Sequence, residues 1–153
     1  MSLDVRPARP DDLDDLVALE ADGMGADAWG RSALGAELAA VPDIRTVLVV
    51  TRTDEPGLAA YGAVRVVDAT ADLQRVVVAR ALRRHGLGRL LLQALLDAAR
   101  ARGCREVLLE VRVGNRAAVA LYEAFGFAEI LRRRGYFAAQ RDAGVLRLAL
   151  PPD

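Results

Sequence analysis

The 153-residue sequence contains no lysine, one cysteine, one histidine, one tryptophan and one asparagine, and the scarcity of cysteine excludes most. With Cys104 alone, an intramolecular disulfide is impossible and a cysteine-based zinc site is excluded. A reducing cytoplasm is the expected setting. Net charge is absent too, since 21 arginines balance 21 acidic residues. Nothing global therefore draws the chain to nucleic acid or to an anionic membrane, and any electrostatic logic is local. Long apolar runs are missing: Leu90-Leu91-Leu92 is broken by Gln93, Asp97 and Arg100, far short of the ~20 residues a membrane span needs. The start carries Asp4 and the acidic group Asp11, Asp12, Asp14 and Asp15 in place of the basic flank and apolar block of a signal peptide, so no export is expected. The preference for Arg over Lys runs through the whole chain and marks no site.

Hydrophobic residues make up 53% of the sequence, ample for one continuous core, and a single domain over 1–153 is expected. Leu3, Val5 and Pro7 suggest a first strand. A helix starts near Asp11 with Leu13, Leu16, Val17 and Glu20 on one face and ends at Gly23 and Gly25. A second runs from Ser32, a candidate cap, to about Ala40, with Pro42 as its stop. Arg45 to Thr53 reads as a strand, Thr53 to Gly57 as a turn, and Leu58 to Val67 as the returning strand. A turn at Asp68 to Ala71 leads into a third antiparallel strand, Leu73 to Ala79. After Gly88, Leu90, Leu91, Ala94, Leu95 and Ala98 form the apolar stripe of a helix that Gly103 caps. Val107, Leu109, Val111 and Val113 alternate as a strand, parallel to the one before the helix. Gly114-Asn115 opens a short helix closed by Gly126, and Ala128 to Arg134 with Val145 to Leu150 make a last antiparallel pair. The order specifies an α/β fold, a mixed and mostly antiparallel sheet with helices on both faces.

The glycine turn between the third strand and its helix, Arg83-Arg84-His85-Gly86-Leu87-Gly88-Arg89, is the most informative segment. Glycines at 86 and 88 permit a tight turn that brings several N–H groups together where a helix start already favours negative charge. A P-loop would need Lys and Ser or Thr where Arg89 and Leu90 stand, and a dinucleotide fingerprint would need a small residue at Leu91. What remains is Arg-x-x-Gly-x-Gly, either a pyrophosphate cradle or a plain helix start beside solvated arginines. Asn115 opens the next helix, as an N-cap, a ligand-binding amide or both.

Glu110 lies in mid-strand between Leu109 and Val111, either as a solvent-facing residue paired with Arg112 or Arg105, or as a general base whose apolar neighbours raise its pKa. Tyr122 is either a core aromatic beside Leu121 and Phe125 or a proton donor, since a phenol titrating near ~10 keeps its proton at neutral pH and can pass it to a thiolate of reference pKa ~8.5. His85 fits a turn residue with its ring in solvent, and Cys104 a buried thiol. Arg132, Arg133 and Arg134 read as a solvated strand face without a role.

These motifs resemble the GCN5-related N-acetyltransferase superfamily and, within it, the RimI-like ribosomal-protein alanine acetyltransferases. The likeness covers nearly the whole chain and is densest from Ala71 to Leu150. Ala71-Asp72-Leu73 through Val78 is similar to the family's central strand, Arg83-x-x-Gly86-x-Gly88 to its pyrophosphate loop, Leu109-Glu110-Val111-Arg112-x-x-Asn115 to its catalytic strand, and Ala120-Leu121-Tyr122-Glu123 with Phe125-Gly126-Phe127 to the following helix. The resemblance implies the GNAT fold, with a splayed parallel strand pair, and acetyl-CoA as cosubstrate without a metal. It implies that Val76, Val77 and Val78 face the acetyl and pantetheine end, that Arg84, His85, Gly86, Leu87, Gly88 and Arg89 hold the pyrophosphate, and that Asn115 binds the pantetheine arm. Glu110 becomes the base and Tyr122 the acid, while Trp29 and Tyr136 contact the acceptor. Three segments depart from the family pattern: Ala79-Arg80 replaces Asp-Pro, Ala28-Trp29 replaces Pro-Trp, and Phe137 replaces a tyrosine. The acceptor implied is the N-terminal amine of a protein, most typically a small-subunit ribosomal protein. A small-molecule amine and a catalytically silent acetyl-CoA sensor are the competing readings.

Overall fold

In the computed structural model, which describes residues 2–41, 43–137 and 141–152 and only the backbone of 136, 137 and 141, alternating side chains build a sheet whose two faces carry separate cores. The strands are β1 (Leu3–Pro7), β2 (Arg45–Arg52), β3 (Glu55–Val67), β4 (Thr70–Val78), β5 (Glu106–Arg112), β6 (Ala128–Phe137) and β7 (Arg141–Ala149). The helices are α1 (Leu13–Met24), α2 (Arg31–Ala39), α3 (Leu87–Ala101) and α4 (Arg116–Ala124). Among the described residues the sheet order is β1-β2-β3-β4-β5-β7-β6. Every pairing is antiparallel except β4 with β5. That is the mixed sheet expected of the sequence.

The period of two divides neighbours between the faces. Val50, Ala60 and Val64 pack with Leu91, Leu92 and Leu95 of α3, and Tyr122 of α4 joins them. Val49, Tyr61 and Ala63, one position away in each case, pack with Leu16 and Leu19 of α1 and Leu34 of α2. Gly62 lets α3 approach: a Cβ there would lie 2.5 Å from Leu95 Cδ1 and 3.1 Å from the Arg75 carbonyl oxygen. The carbonyl belongs to a paired strand and cannot yield. Gly62→Ala is therefore expected to cost ~1–3 kcal/mol and to lower Tm by roughly 3–10 °C in thermal denaturation. An unchanged Tm would show that the helix moves aside freely.

Several boundaries differ from expectation. α2 is capped by Gly30, with no side-chain cap, so Ser32 lies inside the first turn; Pro42 lies outside the described residues. The β2–β3 turn is tighter than Thr53–Gly57, because register shifts at Val50/Thr51 and Thr51/Arg52 absorb the slack and β3 resumes at Glu55. The β3–β4 turn is shorter too, with Asp68 at φ 53° making the reversal. β6 runs on past Arg134 to Phe137 and β7 starts early, at Arg141, and ends at Ala149, since strand pairing prolongs the hairpin through residues that no apolar alternation marks. Gly103, at φ 83°, does close α3, and the Asn115 side chain caps α4 by accepting from the Ala118 N–H at 3.2 Å.

Candidate active site

The site begins where two parallel strands part. β4 and β5 pair only from Thr70↔Glu106 to Asp72↔Leu108. Beyond that β4 stays with β3 as far as Val78↔Ala60, and β5 stays with β7 as far as Arg112↔Ala143. A bulge explains the divergence. Between Ala63↔Arg75 and Val64↔Leu73, β4 spends one extra residue, Gln74, against a single step of β3, and such a bulge bends and twists its strand. The wedge opens at the carboxyl ends of both strands, where α3 and α4 begin.

A cavity of about 620 Å³ fills the wide end, bounded by Val76, Val77 and Val78 of β4, by Arg84, Gly86 and Gly88 of the turn, and by Asn115 and Tyr122 from the α4 side. Gly86, at φ 81°, is the N-cap of α3 and supplies no capping side chain. Helix geometry leaves the first N–H groups, those of Leu87, Gly88 and Arg89, without partners inside the helix. Arg84 adopts φ 68°, a left-handed conformation costly for a residue with a Cβ and of the kind concentrated at ligand clamps. Leu87 lines this cavity as well, whereas His85 and Arg89 do not. The His85 Nδ1 lies 2.9 Å from the Arg83 carbonyl oxygen on the exposed side of the turn. Arg83 donates to the Gly23 carbonyl at 2.8 Å, tying the turn to the end of α1.

A second cavity, of about 320 Å³, runs on from the first into the narrow end of the wedge and shares Asn115, Ala118 and Tyr122 with it. Glu110 lines this cavity and also a third, of about 460 Å³, that reaches toward Arg133 and Val145. Glu110 and Tyr122 are thus brought to one chamber, with Glu110 facing both ways. Tyr122 is buried; burial pushes its phenol up to about 12, and its ring meets Phe127 edge-on at a centroid distance of 5.7 Å. Glu110 faces solvent, as one of its two readings expected, but with a different cation: its side chain is 36% exposed and its partner is Arg133 at 3.0 Å. The flanking Leu109 and Val111 point to the opposite face, and Arg112 reaches Asp27 at 3.3 Å instead. Arg133, expected to be a solvated strand residue without a role, is the cation beside the carboxylate. Cys104 is buried, and burial pushes its thiol up.

Gln74, the bulge residue, lines the second and third cavities with a buried side-chain oxygen that has no hydrogen-bond partner among the described residues. Nothing in the local sequence marked it. Glu20 was visible only as a lone acid at an apolar-face spacing of α1, and it is fully buried. Its Oε1 accepts from the Trp29 N–H at 2.9 Å and from Arg75 Nη2 at 2.8 Å, and its Oε2 accepts from Arg75 Nε at 3.0 Å and from the Tyr61 hydroxyl. Burial raises the Glu20 carboxyl, but these donors together outweigh it and hold the group below the usual carboxylate range. Trp29 lines none of the three cavities; its ring centroid lies 4.4 Å from the guanidinium carbon of Arg75, which lines the second. Tyr136 falls in β6, with its side chain outside the described residues.

Glu20 makes folding pH-dependent in a defined direction. Asp12 behaves alike, held low chiefly by the hydrogen bonds from Arg6. A carboxyl whose folded pKa is depressed contributes stability above its unfolded value, near ~4.3 for Glu and ~3.9 for Asp, and loses it as pH falls through the folded value. The urea midpoint is expected to fall steeply below about pH 4.5, and Glu20→Gln to flatten that fall; an equally steep fall in the variant would remove Glu20 from the account.

Residues 13–127 match the family model described as the acetyltransferase (GNAT) family. A [ribosomal protein bS18]-alanine N-acetyltransferase of Salmonella typhimurium is 41% identical over 100 residues, 65% of this chain and 68% of that protein. The crystal structure of the ribosomal-protein-S18-alanine N-acetyltransferase from Escherichia coli superposes with a TM-score of 0.88 at 28% identity, covering 97% of this chain and 94% of that one. An acetyltransferase from Salmonella typhimurium, solved with its cofactor acetyl-CoA, shares the fold at a TM-score of 0.83 and 21% identity, over all of this chain and 96% of that one.

Proposed function

The chain belongs to the acetyltransferase (GNAT) family, and from that premise we propose that it transfers the acetyl group of acetyl-CoA to the N-terminal α-amine of a small-subunit ribosomal protein in the cytoplasm, with residues 1–153 acting as one catalytic domain. The observation that carries this reading is the placement of Glu110 and Tyr122 in one chamber between the parted strands, reached from the coenzyme side and from the side of Arg133. The residues present fit the coenzyme. Uncapped N–H groups at the start of α3 and the left-handed Arg84 and Gly86 suit a pyrophosphate, and the free edge of β4 at Val76 to Val78 suits an amide-bearing arm. Bound acetyl-CoA supplies an acyl group already activated as a thioester.

The chain's own groups do the rest. Asn115 holds the arm while its oxygen caps α4, so both of its expected roles are compatible. A main-chain N–H near Val78 donates to the developing oxyanion. Glu110, aimed by Arg133, takes the ammonium proton directly or through one water; an α-ammonium of pKa ~7.7–8.0 needs far less help than a lysine side chain at ~10.4. Tyr122 donates its proton to the departing sulfur.

Mass spectrometry of peptides with free N-termini, offered beside a panel of small amines, tests the reading. Acetylation at the peptide α-amine is expected, and acetylation of the small amines alone overturns it. In cells, one small-subunit ribosomal protein is expected to lose 42 Da, about one acetyl group, when the chain is removed.

A further inference from the structure

The mechanism above leaves the most completely buried charged cluster in the described structure unused. Glu20, Arg75 and Tyr61 sit on the α1 face of the sheet, and the hydrogen bonds and ring contact that leave the cluster lead to the segment between α1 and α2. The Trp29 N–H donates to Glu20, Arg75 Nη2 donates to the Asp27 carbonyl at 2.7 Å, and the Arg75 guanidinium lies against the Trp29 ring. Three further links fix the same stretch of chain. The Arg80 N–H donates to Asp22 Oδ2 at 2.8 Å, Arg83 reaches Gly23, and Arg112 of β5 reaches the Asp27 carboxylate. Residues 22–29 are therefore a strap laid across the mouth of the wedge, with one edge on the glycine turn, one on β4 and one on β5. Met24 and Asp27 of the strap line both the wide and the narrow cavity.

Stability alone is a poor reason for such a cluster. Taking two ions out of water costs several kcal/mol each, and replacing a buried ion pair by apolar groups of similar size is often neutral or favourable. What the cluster supplies that apolar packing would not is direction: the planar fork of Arg75 engages one carboxylate and one main-chain carbonyl at once, which fixes the strap in position and register. We propose that Glu20, Arg75 and Tyr61 are positioning residues for the acceptor. They hold the strap so that Asp27 and Met24 form a rigid rim beside Glu110, and the incoming amine meets a pre-formed entrance. The inference rests on the acetyl-transfer reading of the chamber and deepens it; it does not depend on which amine is acetylated.

Arg75→Met removes the fork and the charge while keeping an apolar stem, Arg75→Lys keeps the charge without the fork, and Tyr61→Phe removes one donor to Glu20. For each, KM and kcat are measured with the best amine the wild-type enzyme accepts, whether peptide or small molecule, so that failure of the N-terminal reading leaves the test intact. Acetyl-CoA affinity is measured by calorimetry and exchange of the Trp29 amide by hydrogen–deuterium exchange. Arg75→Met is expected to raise the acceptor KM by ~10-fold or more with kcat and acetyl-CoA Kd changed by less than ~3-fold, and to speed Trp29 exchange at least ~10-fold; Arg75→Lys falls between it and wild type. Faster Trp29 exchange with an unchanged acceptor KM would assign the cluster to structure alone and overturn the proposal. So would parallel rises in acceptor KM and acetyl-CoA Kd. Should Arg75→Met not fold, Tyr61→Phe carries the same comparison, with an acceptor KM raised ~3-fold as the supporting result and an unchanged one as the overturning result.

Discussion

Tyr122→Phe is expected to lower kcat by ~10²-fold or more while leaving acetyl-CoA affinity within ~2-fold of wild type. The ring is buried and braced edge-on by Phe127, contacts that phenylalanine keeps, so the variant differs by one hydroxyl in an otherwise unchanged chamber. Burial pushes that hydroxyl up to about 12, which keeps it protonated through the whole working range. It can then donate to a sulfur as negative charge develops, and it contributes no falling limb to the pH–rate profile below about pH 10. Continuous detection of released thiol, with calorimetry for coenzyme binding, checks both halves. Wild-type turnover in the variant would refute the assignment of Tyr122 as the acid. Slow turnover with equally weakened binding would make it a packing residue.

Glu110→Gln is expected to lower kcat/KM by ~10²- to 10⁴-fold at pH 7, the range removed with a general base. Glutamine keeps the volume and a hydrogen-bonding oxygen for Arg133, 3.0 Å away in the wild type, so the entrance keeps its shape. The decisive feature is the pH dependence of the deficit. Above the α-ammonium value of ~7.7–8.0 the acceptor loses its proton to bulk water, so the variant should recover toward wild type between about pH 8 and 10. A deficit that stays constant over that interval would make Glu110 a structural or substrate-orienting residue.

The chemistry and the order of elements were legible because each rests on local patterning. Alternation marked β2 and β5, the stripe of leucines marked α3, and the glycines at 86, 103 and 126 marked turns that structure bears out with positive φ at each. The turn at Gly86 and the cap at Asn115 were readable for the same reason: the helix that needs them follows immediately in the chain. The partner of Glu110 was not readable. Arg112 and Arg105 are its neighbours in sequence, but the cation that meets it, Arg133, comes from a strand two places away in the sheet. Glu20 fared similarly, since spacing placed it on the inner face of α1 but could not supply Arg75, 55 positions along, or Tyr61.

Sequence by itself determined the mixed sheet, the glycine turn that starts α3, and the candidates for acid and base, because backbone propensity and the position of glycine act over a few residues. Tertiary structure alone decided where β4 leaves β5, since that depends on a one-residue slip against β3 at Gln74. It alone decided the exposure of Glu110 and the laying of residues 22–29 across the opening. Burial and ion pairing are sums over groups from distant parts of the chain, and their energies exist only once packing has brought those groups together.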